Sequence, residues 1–123
     1  MKYLILCTAV LILQSCYNVE RNCSDFKTGS FESEITIDGT LYKSSFSRTS
    51  NLQVEEFKGV KDSSYVRWIN DCEMVFKTIH PKNRAEQKDI HLKILTTTKE
   101  GYKFEYGYVG DPNKQIGDAK RIN

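Results

Sequence analysis

Beyond position 23 the apolar side chains recur at every second position, the period of a β-strand, and no stretch shows the spacing of an amphipathic helix. Phe31, Ser33, Ile35 and Ile37 alternate with Glu32, Glu34 and Thr36, and Asp38-Gly39 supplies a two-residue hairpin turn. Leu41 to Arg48 continues as a Ser-rich strand with Tyr42 and Phe46 on one face. Asn51 marks a turn into Leu52–Phe57, which closes near Gly59, and Tyr65–Ile69 is a further β-rich run punctuated by Asn70-Asp71. From Cys72 to Ile79 the alternation resumes, with Cys72, Met74 and Phe76 on one side. His80–Asp89 is the longest polar stretch and predicts an exposed loop. Ile90, Leu92 and Ile94 then mark a strand, Glu100-Gly101 a turn, and Tyr102, Phe104, Tyr106 and Tyr108 an aromatic stripe at period two. Gly110-Asp111-Pro112 ends the pattern, leaving residues 111–123 as a polar tail whose large apolar residues are Ile116 and Ile122.

About seven short strands separated by turn signals predict an all-β fold. The expected architecture is an antiparallel meander curved into a small, lipocalin-like barrel or half-barrel, following an N-terminal signal helix. A two-sheet sandwich satisfies the same periodicity. The 123 residues hold one such domain, placed at residues 23–110.

The start of the chain has a different character. Met1-Lys2 is a short positive start, and Tyr3–Leu13 is an almost unbroken apolar run. That run is too short to cross a bilayer core, which takes about 20 helical residues, and it predicts a secretory signal peptide over residues 1–15. Leu13-Gln14-Ser15-Cys16 follows at once and resembles the lipobox of bacterial lipoproteins. The resemblance implies a diacylglyceryl group on Cys16, with cleavage just before it. Acyl chains contribute about 0.8 kcal/mol per buried CH₂, enough for two or three of them to hold a soluble domain on a membrane. Tyr17 directly after the Cys, where an Asp is lacking, points to the outer membrane, and residues 16–22 form a tether.

Export places the chain in an oxidising space. Cys7 leaves with the leader and Cys16 takes the lipid, so Cys23 and Cys72 remain to pair with each other. A metal site built from Cys23, Cys72, His80 and His91 is the competing reading. No Cys-x-x-Cys or His-x-x-x-His spacing supports it, and no metal or cofactor is expected.

The charge balance of 18 basic against 16 acidic residues lacks the footprint of a nucleic-acid binder. Nucleophile elbows, phosphate-binding Gly loops and His-Glu-x-x-His are absent from the sequence, and adjacent carboxylates such as Glu55-Glu56 point to opposite faces of a strand. Catalysis is therefore not expected. Two candidate ligand surfaces stand out. One is the aromatic stripe, in which Tyr102 and Tyr106 carry hydroxyls that need partners. The other is Arg48, Gln53 and Trp68, an Arg, an amide and the one Trp on successive strands. Both sets also fit plain packing. The mixed-charge loop from Lys82 to Asp89 is the place where a protein partner of the envelope would dock.

The leader, Cys23-x-x-Phe26-Lys27-Thr28-Gly29-x-Phe31, Arg48, Gln53 and Trp68-x-x-x-Cys72 together resemble a group of small lipoproteins of unknown function, found chiefly among Bacteroidota-type bacteria. The resemblance covers about residues 1–76. Members sometimes carry the product name DNA topoisomerase IV, which a leader, a cysteine pair and a near-neutral domain of this size do not support. The resemblance supplies no catalytic residues. The expected function is a lipid-anchored, periplasm-facing binding or structural module at the outer membrane. An inhibitor of a cell-wall hydrolase and a carrier of a small apolar ligand are the alternatives.

Overall fold

The structure, a computed structural model, describes residues 21–122. The leader, Cys7, Cys16 with its expected lipid and most of the tether lie outside the described residues. A short 3₁₀ turn, Cys23–Phe26, opens the domain. Eight strands follow: β1 (Gly29–Ile37), β2 (Thr40–Arg48), β3 (Leu52–Phe57), β4 (Val60–Asn70), β5 (Glu73–Thr78), β6 (Ile90–Thr97), β7 (Gly101–Tyr108) and β8 (Gln115–Arg121). Each pairs antiparallel with its neighbour in sequence, and β8 returns to β1, so the sheet closes into a barrel without free edges. The barrel, and not the sandwich, is the solution adopted.

Local chemistry builds the hairpins. Asp38 and Gly39 both have positive φ, 50° and 79°, as a tight hairpin turn with the strand twist requires. Lys58 and Gly59 repeat that geometry at 50° and 78°, which lets β4 start at Val60, well before the β-rich run at Tyr65.

The alternation sorts the side chains cleanly. Phe31, Phe46, Val66, Met74, Phe76, Leu92, Ile94, Tyr102 and Phe104 are buried within the barrel. Glu32, Glu34, Lys43, Arg67, Lys77 and Lys103 lie exposed on strand positions between them. An apolar inside and a charged outside is the inverse of a membrane-spanning barrel, whose outer band must be apolar.

The C-terminal segment departs from expectation. Residues 111–123 are not simply a tail, because Gln115–Arg121 forms β8 and closes the barrel between β7 and β1. Its buried residues are Gly117 and Ala119, too small to register as a hydrophobic stripe. Packing forces that smallness. A Cβ on Gly117 would stand 2.6 Å from the Phe104 ring and 2.8 Å from Ile35, and one on Gly101 would meet the Ala119 carbonyl oxygen at 2.0 Å. The tether is also shorter than expected, since Arg21 Nε donates to the Leu95 carbonyl (3.0 Å) and Asn22 N–H to Thr97 Oγ1 (2.8 Å), both on β6.

The two barrel ends differ. The 3₁₀ turn, the β4–β5 turn and the β6–β7 turn gather at one end, where Cys23 and Cys72 are joined as expected, their Cα atoms 5.2 Å apart. Phe26, 2% exposed, plugs the barrel there against Phe31 and Tyr102, at ring distances of 6.3 and 5.4 Å. The hairpins β1–β2 and β3–β4 and the loops 79–89 and 109–114 surround the other end. The disulfide closes a loop of 49 residues, for which chain entropy gives about 4 kcal/mol as an upper figure. Urea unfolding of the Cys23→Ser/Cys72→Ser variant should show a loss of about 2–4 kcal/mol. A loss below about 1 kcal/mol would show that the turn docks without its covalent link.

Candidate functional site

The barrel interior is not filled. Above the Phe26 plug lies a cavity of about 210 Å³, with walls formed by Ile35, Phe46, Phe76, Ile90, Leu92 and Phe104. Six polar side chains also face it: Ser33, Arg48, Gln53, Glu55, Ser64 and Tyr102, with Tyr106 completing the lining. Gln53, Glu55, Ser64 and Ile90 are shared with a second hollow, of about 270 Å³, bordered by Asp62, Asn83, Ala85, Glu86, Lys88 and Tyr108. The polar loop after β5 thus stands beside the open mouth, as an exposed segment.

Arg48 lies at the closed end of the cavity and is 2% exposed. It ends β2, opposite Gln53 on β3 and Gly29 on β1. Its Nε donates to the Lys27 carbonyl (3.1 Å), Nη1 to Gln53 Oε1 (3.0 Å), and Nη2 to both the Phe26 carbonyl (2.6 Å) and Tyr102 Oη (3.2 Å). Four aromatic rings surround the guanidinium, those of Phe31, Phe46, Trp68 and Tyr102, at 5.3–5.9 Å from their centroids. Arg121 mirrors it from β8, donating to the Asp25 and Thr28 carbonyls and lying 5.2 and 5.1 Å from the rings of Phe26 and Phe31. Among the described residues, Arg48 has no carboxylate partner.

The titratable groups along the cavity shift as this layout demands. Burial raises the Tyr102 phenol above its ordinary value, and the neighbouring charge of Arg48 opposes the rise. Burial also raises Tyr106, helped by Glu55. The Glu55 carboxyl is accessible at the mouth, yet crowding by the barrel wall dehydrates it and raises its pKa, and Asp62 adds to the rise. Outside the barrel, Glu73 is lowered, first by the Asn70 amide, then by the 3.0 Å contact with His91 Nε2, against partial burial. His91 is therefore held by a carboxylate on the outer face, and His80 sits in the loop with φ of 57°. The disulfide takes the thiols of Cys23 and Cys72, and no cluster of three or more His, Cys, Asp or Glu stands together among the described residues.

Of the two candidate surfaces, Arg48, Gln53, Tyr102 and Tyr106 converge on the cavity. Trp68 does not line it. Its partly buried ring packs at the closed end, with Lys27 Nζ at 5.1 Å on one side and Arg48 at 5.6 Å. Tyr108 lies at the second hollow under Lys88, 5.2 Å from its ring. Glu55, Ser33, Ser64 and Arg121 are not among the candidate ligand residues read from the sequence, although Ser33 falls on the alternating face and Glu55 stands there as a carboxylate beside Glu56. The first three occupy inward strand positions whose alternation could have marked them, whereas Arg121 was hidden by the small residues of β8. Comparison with protein-family models, curated proteins and solved structures yields no match to the chain.

Two outcomes follow. Arg48→Met leaves the Phe26 and Lys27 carbonyls without donors, and each buried unmet group costs about 1–3 kcal/mol, so urea unfolding should show a loss of at least about 2 kcal/mol. Arg48→Lys should fall nearly as far, since one ammonium lacks the planar fork that serves these acceptors. Losses under about 1 kcal/mol for both would remove Arg48 from the closure. Because Glu55 is raised in the fold, its burial costs nothing below its ordinary pKa near 4.5, and stability is lost as pH rises through the higher folded value. Melting curves of Glu55→Gln should therefore gain on the parent chain between pH 4 and pH 8. An offset equal at both pH values would contradict this.

Proposed function

We propose that the protein is a non-catalytic binding module of the cell envelope, tethered by a lipid on Cys16, whose barrel interior carries a small, largely apolar ligand. The cavity supports this reading most directly. It is plugged at one end by Phe26, bounded at the other by hairpins, and lined by six large apolar side chains with a few polar groups among them. That composition is characteristic of small-molecule sites. Its volume of about 210 Å³ lies below the range of about 300–1,000 Å³ for drug-sized ligands, so a short or medium chain suits it.

The placement of the N-terminal segment supports the same reading. Arg21 and Asn22 are bonded to Leu95 and Thr97, near the closed end of β6, and Cys16 precedes Arg21 by five residues. Five residues reach at most about 18 Å. An acyl anchor at Cys16 would hold the plugged end towards the membrane and turn the mouth outwards, where a ligand could enter.

Titration with the straight-chain compounds 1-octanol and octanoate, followed through methyl NMR, tests the interior site. Saturable shifts of the Ile35, Ile90 and Leu92 methyls are expected, with Leu41 and Ile69, both exposed, unaffected. If neither compound shifts the inward methyls, the binding-module reading fails.

A further inference from the structure

Resting on the reading of the barrel as a ligand carrier, we infer that its inner end is an anion site and that the ligand is a small carboxylate amphiphile, bound head down against Arg48, Gln53 and Tyr102.

The inference follows from donor and acceptor bookkeeping. A guanidinium has donors only, so every group bonded to Arg48 must turn an acceptor towards it. Gln53 does so with its amide oxygen, at 3.0 Å from Nη1, and Tyr102 with its phenolic oxygen, at 3.2 Å from Nη2. Both residues also line the cavity. With an acceptor turned to Arg48, each keeps a donor to offer a ligand, the Gln53 NH₂ group and the Tyr102 O–H. Donors of both residues therefore stand beside a full positive charge at the inner end of the cavity.

Among the described residues that charge has no carboxylate counter-ion. Arg48 is 2% exposed and Tyr102 4%. A buried cation is costly unless paired. Backbone carbonyls and aromatic faces compensate it in part, and an entering carboxylate would complete the compensation. Carboxylates meet donor arrays of this kind through short, charge-assisted hydrogen bonds.

The other end sets the orientation. Arg48 is the one cation among the lining residues and Glu55 the one carboxylate, and Glu55 stands near Asp62 towards the mouth. An anionic head at the mouth would face two like charges, whereas at the inner end it meets Arg48. Between the two lie Phe46, Phe76, Leu92 and Phe104, which accept a hydrocarbon chain.

Calorimetric titration of the purified chain with octanoate, 1-octanol and octylammonium distinguishes the possibilities. Octanoate should bind at least tenfold tighter than 1-octanol, and octylammonium more weakly than either. Gln53→Glu places an internal carboxylate beside Arg48 and should weaken octanoate at least tenfold, a loss well beyond any change in 1-octanol binding. Should that variant fail to fold, Tyr102→Phe carries the test, with octanoate weakened at least threefold and 1-octanol unaffected. Equal binding of octanoate and 1-octanol would overturn the anion site and leave the apolar carrier standing. Unaltered octanoate affinity in a folded Gln53→Glu would also overturn the anion site. Binding of none of the three compounds would overturn both readings.

Discussion

The barrel depends on how the carbonyls leaving its first turn are satisfied. A 3₁₀ turn ends with acceptors that have no partner of their own, and here four consecutive ones, Asp25, Phe26, Lys27 and Thr28, receive donors from two arginines, Arg48 on β2 and Arg121 on β8. Those strands flank β1 on either side, so both guanidiniums also lie against its Phe31 ring. One cluster therefore seats the turn, drives Phe26 into the barrel and ties β8 to the far side of β1. The disulfide to Cys72 adds a covalent link at the same end.

Plugging one end decides what the rest of the interior becomes. The interior of an eight-stranded barrel is just wide enough for side chains to fill it or for one small ligand to occupy part of it. Phe26, Phe31, Met74 and Ile94 fill the lower part, all among the most deeply buried residues. Above them several inward positions are polar, Ser33, Gln53, Glu55 and Ser64, and the cavity lies where these face large apolar residues such as Phe76 and Leu92. Arg48 sits at the boundary. Its lower face holds the plug and its upper face meets the cavity, so closure and ligand chemistry rest on the same side chain.

Much of this architecture could be read along the chain. Period-two alternation and Asp38-Gly39 located seven of the eight strands and the all-β class, because a strand half buried against one core must alternate. The eighth escaped because its inward residues are Gly117 and Ala119, which carry no hydrophobic signal. The size of Gly117 is dictated by its partners on the two neighbouring strands, Phe104 on β7 and Ile35 on β1, the latter far away in sequence. The candidate residues show the same division. Arg48, Gln53, Tyr102 and Tyr106, two separate sets in the sequence, meet at one cavity, but Trp68 belongs to the packing beneath Arg48, and Glu55 joins the mouth because register places it inward opposite Phe46.

What the sequence determined by itself is local in origin: strand periodicity, turn chemistry, the near-neutral charge, and the pairing of Cys23 with Cys72 expected from the cysteine count. What tertiary structure decided is non-local: closure of the sheet through β8, the choice of barrel over sandwich, and the meeting of two arginines with four backbone carbonyls. The cavity belongs to the second group. Alternation specifies which side chains point inward, but whether they fill the space or leave it open depends on the diameter of the closed barrel and on how far Phe26 enters it. Both are set by contacts between residues such as Phe26 and Tyr102, 76 positions apart in the chain (102 − 26).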